Sequence, residues 1–586
     1  MKRSLRKRVV VAFLLLFSIL LSGCGGDKKS DGSASQTATQ VENLSPAPNA
    51  EGFVCLFGGE ADYKILKDTA DEASEQILQN FMSDLRKKVG NKNIFASSTA
   101  ASESDREILI GSIAGRAQSE QAMAQTPYSA YSIGFVDEKL TVCYYTLTSL
   151  QKALDDLLAA LYQAEDGTWG VSAQLHIAVD DPFTKDSIPH AEGITGRLVG
   201  AYVSNDDRCQ IAYEGVTFLD FTAYGDRLVN AGYTRYASNE IGENQFATYV
   251  TDDTEVHLIW FSAISSFRIV FGERGDLPAI SVPEYDKYTD CTVTQIGRYG
   301  ASNSAAGESY IVQLEDGSYI VIDGGPSNAK DETRLLSFLN DNKPSAHQKP
   351  KVTWMFTHLH SDHTDLAVSF LRNHSSDIEL TAICYNFPNL QTALEDSTCA
   401  ATYTSIKALK QKYPNAKTIV FHAGQKLLLP GCEVEILYTQ EDYWPAPFET
   451  ANDTSATWRM TFAGGHSFLV LGDSEAGMCE QLERIYSDTL ECDILQVSHH
   501  GLNGATLPLY QAIDPKICFW AIDETRFLSD ERCLGIQKKY EFNAFLRNEA
   551  WTRAEGASGA RTHYSAGRTV TVRMSDLFVV TNELLP

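Results

Sequence analysis

The chain has 586 residues, a formal net charge of −27 and 43% hydrophobic residues. That length is more than one core can fill, so roughly two to four domains are expected, with an apolar content ordinary for globular protein. So acidic a surface excludes standing attraction to nucleic acid or anionic lipid heads, though not a nuclease whose metals screen its substrate locally.

The first residues differ from the rest. Lys2, Arg3, Arg6, Lys7 and Arg8 precede an apolar run at 9–21, which is followed by Leu21-Ser22-Gly23-Cys24. The run is too short to cross a bilayer and reads as an export signal. It resembles the bacterial lipoprotein signal, in which the cysteine is lipidated and becomes the new N-terminus. The resemblance implies an extracytoplasmic protein anchored to the cell membrane through Cys24, with residues 1–23 removed. Their loss shifts the net charge to about −32. Residues 24–50, rich in Ser, Gly, Thr, Ala, Gln and Pro, read as a disordered tether.

Residues 51–185 alternate strand and helix signals and form a first, small α/β domain. Strands are expected at 62–66, 107–113, 131–135 and 139–145. One helix runs from a cap at Thr69 to about Val89, and a second follows Thr148. The sequence EILIGS followed by Gly115-Arg116 resembles the small domain that precedes the catalytic barrel of glucuronidase-type glycosidases. There it carries no catalytic residues, so the resemblance implies no active site, with cell-surface carbohydrate a candidate contact.

Residues 190–282 read as an α+β domain with a mostly antiparallel sheet: strands at 197–203 and 210–218, a helix at 221–231, then a meander from 233 to 271. Tyr233, Tyr236, Phe246, Tyr249, Trp260 and Phe261 could present a sugar-binding face, but at strand spacing they are more often cross-strand packing. Eleven cysteines follow Cys24, none in a CxxC pair. Several, such as Cys143, Cys384 and Cys518, sit in apolar segments, so buried thiols are expected rather than a disulfide scaffold.

From residue 290 to 586 a single catalytic domain is expected. Strands at 293–297, 309–314 and 319–322, the last ending in Asp323-Gly324-Gly325, lead through a helix at 331–339 to an apolar strand at 352–356. Directly after it stand His358, His360, Asp362 and His363, before a helix at 364–372. Imidazoles and a carboxylate so closely spaced at a strand end are a metal-ligand pattern suited to zinc and its first-row neighbours. In extended chain His358 and His360 point the same way. Downstream, an apolar strand at 467–471 ends in Gly472-Asp473, and another at 493–497 ends in Ser498-His499-His500-Gly501.

These four pieces in this order resemble the metallo-β-lactamase fold hydrolases, and most of all the soluble hydrolase domain of the competence protein ComEC and its relatives. The resemblance implies an αβ/βα sandwich and two divalent ions, zinc or manganese. His358 and His360 would hold one, Asp362 and His363 the second, and Asp473 would bridge them. His499 or His500 would complete the second site, His499 being favoured as closer to the strand end. Asp323 would orient a ligand histidine. A further histidine that many relatives use is missing, since His374, His422 and His466 do not sit convincingly. A serine of the HHGS ending is replaced by Leu502, with Asn503 or Ser474 as substitutes toward substrate. The implied chemistry is water attack on a phosphodiester, with Asp362 and Asp323 in catalytic support and no stable nucleic-acid complex. The alternatives are another ester, such as a lactone or phosphorylcholine ester, and a non-catalytic surface glycan-binding protein.

Overall fold

Apolar runs at strand spacing and amphipathic helices build three groups of sheets. The computed structural model describes residues 52–68, 72–98, 102–178, 183–191, 193–298, 307–393, 397–552 and 558–585; the export signal, Cys24, the tether and the cap at Thr69 lie outside them. In the first group Lys64–Lys67, Glu107–Ile110 and Lys139–Tyr144 run parallel, with Tyr131–Val136 antiparallel beside them. Helices Glu72–Val89 and Leu147–Ala160 share its core through Leu78, Leu85, Leu150, Leu154 and Leu157. The second helix starts earlier than expected, because Thr146, not Thr148, caps it in a reciprocal box with Ser149.

The second group is a six-stranded antiparallel sheet in the spatial order Arg197–Asn205, Arg208–Glu214, Ser266–Glu273, Thr254–Phe261, Asn244–Val250, Thr234–Ile241. The strand expected to run to Phe218 stops at Glu214, and Phe218 instead opens the helix Phe218–Asn230. Thr217 and Asp220 form a capping box that ends the extended run. Tyr233, Phe246, Tyr249 and Phe261 are buried, so these aromatics serve as packing rather than as an open face.

The last group is a sandwich. An eight-stranded sheet holds Tyr319–Asp323, Lys351–Met355, Glu379–Tyr385 and Lys417–Val420 in parallel. A seven-stranded sheet holds Ser467–Val470, Ile494–Gln496, Ile517–Trp520 and Thr562–Ser565 in parallel. Val312, Ile320, Ile322 and Met355 of one sheet meet Val434, Trp458, Phe468, Val470 and Phe519 of the other in a shared core. Helices Ala329–Asn342, Ser361–Asn373 and Ser397–Lys412 cover the outer face of the first sheet. Ala476–Tyr486, Leu507–Ile513 and Glu541–Arg547 cover the outer face of the second. The order of layers is αββα, as expected.

The middle sheet is fastened to this sandwich. Phe246, Ile259, Phe261 and Val270 share a core with Leu469, Leu471, Met478, Leu482 and Tyr486. Polar bonds reinforce the contact: His257 Nε2 donates to the Ala423 carbonyl (2.8 Å), and Arg268 donates to the carbonyls of Glu441 (2.9 Å) and Asp442 (3.0 Å). Among the described residues no helix is long and apolar enough to cross a membrane.

Candidate metal centre

The parallel strands of both sheets carry their carboxyl ends to the same edge of the sandwich, and the chemistry-bearing residues follow those ends. Asp323 closes Tyr319–Asp323 with φ +53, a left-handed conformation rare outside glycine. That twist turns its carboxylate back under the site. Oδ1 accepts the Thr357 backbone N–H (2.9 Å), and Oδ2 accepts the Thr357 hydroxyl and His363 Nδ1–H, each at 2.7 Å. Gly324 lets the helix Ser361–Asn373 approach, since a Cβ there would lie 2.7 Å from the Ala367 nitrogen.

The strand Lys351–Met355 delivers His358 and His360. Their rings converge, with His358 Nε2 3.0 Å from His360 Nδ1. Burial, with His363 and His360 beside it, holds His358 well below the usual imidazole range, so it is neutral and able to ligate. The next helix begins at Ser361, three residues earlier than expected, with His360 as its N-cap. Asp362 and His363 therefore sit in the first helical turn, pointing back along the helix toward the strand end. His363 is fully buried, fixed by Asp323 at Nδ1, and its Nε2 stands 3.2 Å from Asp473 Oδ1.

Asp473 follows Ser467–Val470 after Gly472, whose φ of +58 and close approach to Thr357 (3.0 Å for an added Cβ) require glycine. Burial opposes its charge, but His500, His363 and His499 together hold its carboxyl well below the ordinary range. Its Oδ2 lies 3.1 Å from His500 Nε2 and 3.8 Å from His499 Nε2.

The choice between the two histidines is reversed by the structure. Both take left-handed backbone, φ +45 at His499 and +58 at His500, so the two-residue alternation of a strand no longer says which ring faces the site. His500 is buried and reaches both Asp473 and Asp362 (3.3 Å). His499 is turned to Glu475 (2.9 Å) and to Asn452 (3.5 Å), at the rim. Burial works against a charged His500, yet Asp473 and Asp362 raise its pKa to about 10.

Sequence reasoning missed Glu308. It immediately precedes the strand Ser309–Gln313, whose first residue, Ser309, pairs with Asp323, and it is fully buried. Two sets of donor atoms come within 4.8 Å of one another: Glu308, His363, Asp473 and His500, and then His358, His360 and Asp473. Asp473 belongs to both. In the first set the oxygens of Glu308, His363 Nε2, Asp473 Oδ1 and His500 Nε2 are buried without aligned hydrogen-bond partners. Orphaned buried donors of this kind fit a divalent cation.

Other expected residues lie elsewhere. Ser474 donates its hydroxyl to the Leu471 carbonyl (2.6 Å) and faces inward. Asn503 is exposed in the turn after the histidines. His374 pairs with Asp377 (2.9 Å), His422 with Glu441 (2.7 Å) and His466 with Asp493 (3.2 Å), so none of them adds to the His358–His360 set.

Beside His360 a cavity of about 410 Å³ opens, lined by Leu359, Pro388, Phe448, Glu449 and Asn452 among others. No lysine or arginine lines it among the described residues.

No family model matches the sequence, and no curated protein matches it. Among solved structures, similarity is found to CmlA, a diiron β-hydroxylase from Streptomyces venezuelae, at 13% identity over 52% of this chain and 55% of that chain, with a TM-score of 0.29. Unliganded yeast PDE1 is similar at 14% identity over 44% of this chain and 94% of that chain, TM-score 0.28. A metallo-β-lactamase family protein from Thermus thermophilus is similar at 14% identity over 31% of this chain and 58% of that chain, TM-score 0.19. The chain thus spans about half the length of the first of these.

Proposed function

We propose that this chain is a metal-dependent hydrolase of the metallo-β-lactamase type that cleaves a phosphodiester with water, on a lipoprotein anchored outside the cytoplasm through Cys24. The observation that carries the reading is the pair of donor sets sharing Asp473. A carboxylate with two oxygens can serve two ions at once. His358 and His360 would hold one ion, and His363 and His500, with Asp362 at the rim, the other. Bound there, divalent zinc or manganese supplies Lewis acidity and lowers the pKa of water toward neutrality.

The protein's own groups do the rest. Asp323 takes the Nδ1 proton of His363 as a hydrogen bond and leaves Nε2 free to face the site. His358 stays neutral through burial. His499, held between Glu475 and Asn452 at the mouth, would serve to pass a proton to a leaving group. The cavity beside His360 supports a small substrate over a long polyanion, because no lysine or arginine lines it among the described residues. A second reading is favoured by Phe448 and Glu449: an ester whose alcohol carries a cationic group, held over the ring and near the carboxylate.

The purified protein is expected to hydrolyse a bis-aryl phosphodiester in a metal-dependent manner. Asp473→Ala and His360→Ala should each lower that rate by at least about a hundredfold and reduce bound metal measured by elemental analysis. Full activity in both variants contradicts the assignment. A panel adding a choline-bearing phosphodiester and a lactone separates the two readings.

A further inference from the structure

Glu308 is the one buried acid at the site that the ligand pattern in the sequence does not account for. It enters between two sheets: the Gly307 N–H donates to the Ala521 carbonyl (3.1 Å), and its own N–H donates to the Asp362 carbonyl (3.2 Å). This fixes the backbone on both sides and drives the carboxyl inward. Its side chain is fully buried, and both oxygens lack a hydrogen-bond partner. Arg298, the buried arginine nearby in sequence, is committed to the Pro326 carbonyl (2.7 Å) and to Asp331 (3.9 Å).

An ionised carboxylate without partners is among the costliest groups to bury. Here it stands with two further buried carboxylates, Asp323 and Asp473, that are already engaged with His363. Its oxygens come within 4.8 Å of the donor atoms of His363, Asp473 and His500. Asp362, by contrast, is about a third exposed and touches only one member of that set, His500 at 3.3 Å.

We infer that Glu308 is a ligand of the inner ion, making a four-donor site with His363, Asp473 and His500, while Asp362 acts from the rim. The inference rests on the metal-centre reading above. Its consequence is asymmetry. The inner site has four buried donors, and the outer site has His358, His360 and a share of Asp473. The inner ion binds first and tightly, the outer one second and weakly.

The test is calorimetric titration of the chelator-treated full chain with Zn2+ alone. Wild type is expected to show two classes of site. Glu308→Gln should weaken the tighter class at least about a hundredfold and leave the weaker class in place, whereas Asp362→Asn should change the tighter class less than about tenfold. The melting temperature supplies a second readout. Metal-free Glu308→Gln should melt no lower than wild type, since it replaces a buried acid that has no hydrogen-bond partner with a neutral group of the same size, but should gain far less on adding Zn2+. If Glu308→Gln does not fold, Glu308→Asp keeps the carboxyl group and withdraws it by one methylene, and at least a tenfold weaker tight class is expected. Wild-type Zn2+ affinity in Glu308→Gln, or in Glu308→Asp where that variant is used, overturns the inference alone. A wild-type chain that takes up no Zn2+ overturns the hydrolase reading with it.

Discussion

At the scale of single residues, the centre is assembled by backbone conformations that most side chains avoid. Asp323, His499 and His500 all have positive φ, and such strain persists only where surrounding structure enforces it. For Asp323 the enforcement is visible in the three hydrogen bonds its carboxylate accepts from Thr357 and His363. Asp323→Asn keeps the size and tolerates the backbone, but its amide nitrogen cannot accept the bonds that one oxygen now takes. Zinc affinity or kcat/KM is expected to fall about 10- to 100-fold with the melting temperature little changed; unchanged affinity would remove Asp323 from its positioning role. The residue types of this centre were readable, because His358, His360, Asp362, His363 and Asp473 crowd at strand ends. Two things were not. Glu308 stands in no pattern, and its role exists only through burial. The choice of His500 over His499 depends on two left-handed residues in succession, which no periodicity encodes.

At the scale of elements, one contact between sheets carries a pH dependence. His257 on Thr254–Phe261 shares a hydrogen bond with Thr248 (2.8 Å), donates to Ala423 and stacks on His422, which is itself bound to Glu441 and 3.8 Å from Glu255. Burial and the neighbouring His422 push its pKa down to about 3. The unfolded chain titrates near the ordinary value of about 6.5, so between the two values it binds more protons than the folded one. The contribution of His257 is complete above that ordinary value and is lost as pH falls toward 3. His257→Gln should flatten the fall of the urea midpoint between roughly pH 6.5 and 4 relative to wild type. A slope identical to wild type's would show that His257 does not titrate there. Element identity was largely legible from alternation and amphipathic spacing. Boundaries shifted where a cap won over apolar continuity, as at Thr146 and Thr217, or where the helix after His360 began early enough to absorb Asp362 and His363.

At the scale of the whole molecule, the middle sheet completes the sandwich rather than hanging beside it. Phe246, Ile259 and Phe261 lie in the core that also holds Leu437, Met478, Leu482 and Tyr486, and Asn244 donates to the Ile485 carbonyl (3.2 Å). Residues 290–586 alone would expose that face, so this fragment is expected to bind a hydrophobic dye and self-associate in size-exclusion chromatography with light scattering, while 190–586 stays monodisperse. A clean, dye-negative monomer of 290–586 would contradict this. Sequence patterning could not foresee the docking, because an inward phenylalanine looks alike whether it meets its own sheet or another. The thiols offer a way to watch these layers separate. Ten of the eleven free cysteines among the described residues are buried, and burial raises Cys384 and Cys518 to about 12, far from reactive thiolate. They are distributed by layer: Cys143 and Cys209 under the middle sheet, Cys291, Cys384 and Cys432 between the sandwich sheets, Cys399 on one outer face, and Cys479, Cys492, Cys518 and Cys533 on the other. A maleimide pulse read out by peptide mass would therefore time the opening of each layer separately, with Cys55, the one described thiol that is only partly buried, as the fast internal clock.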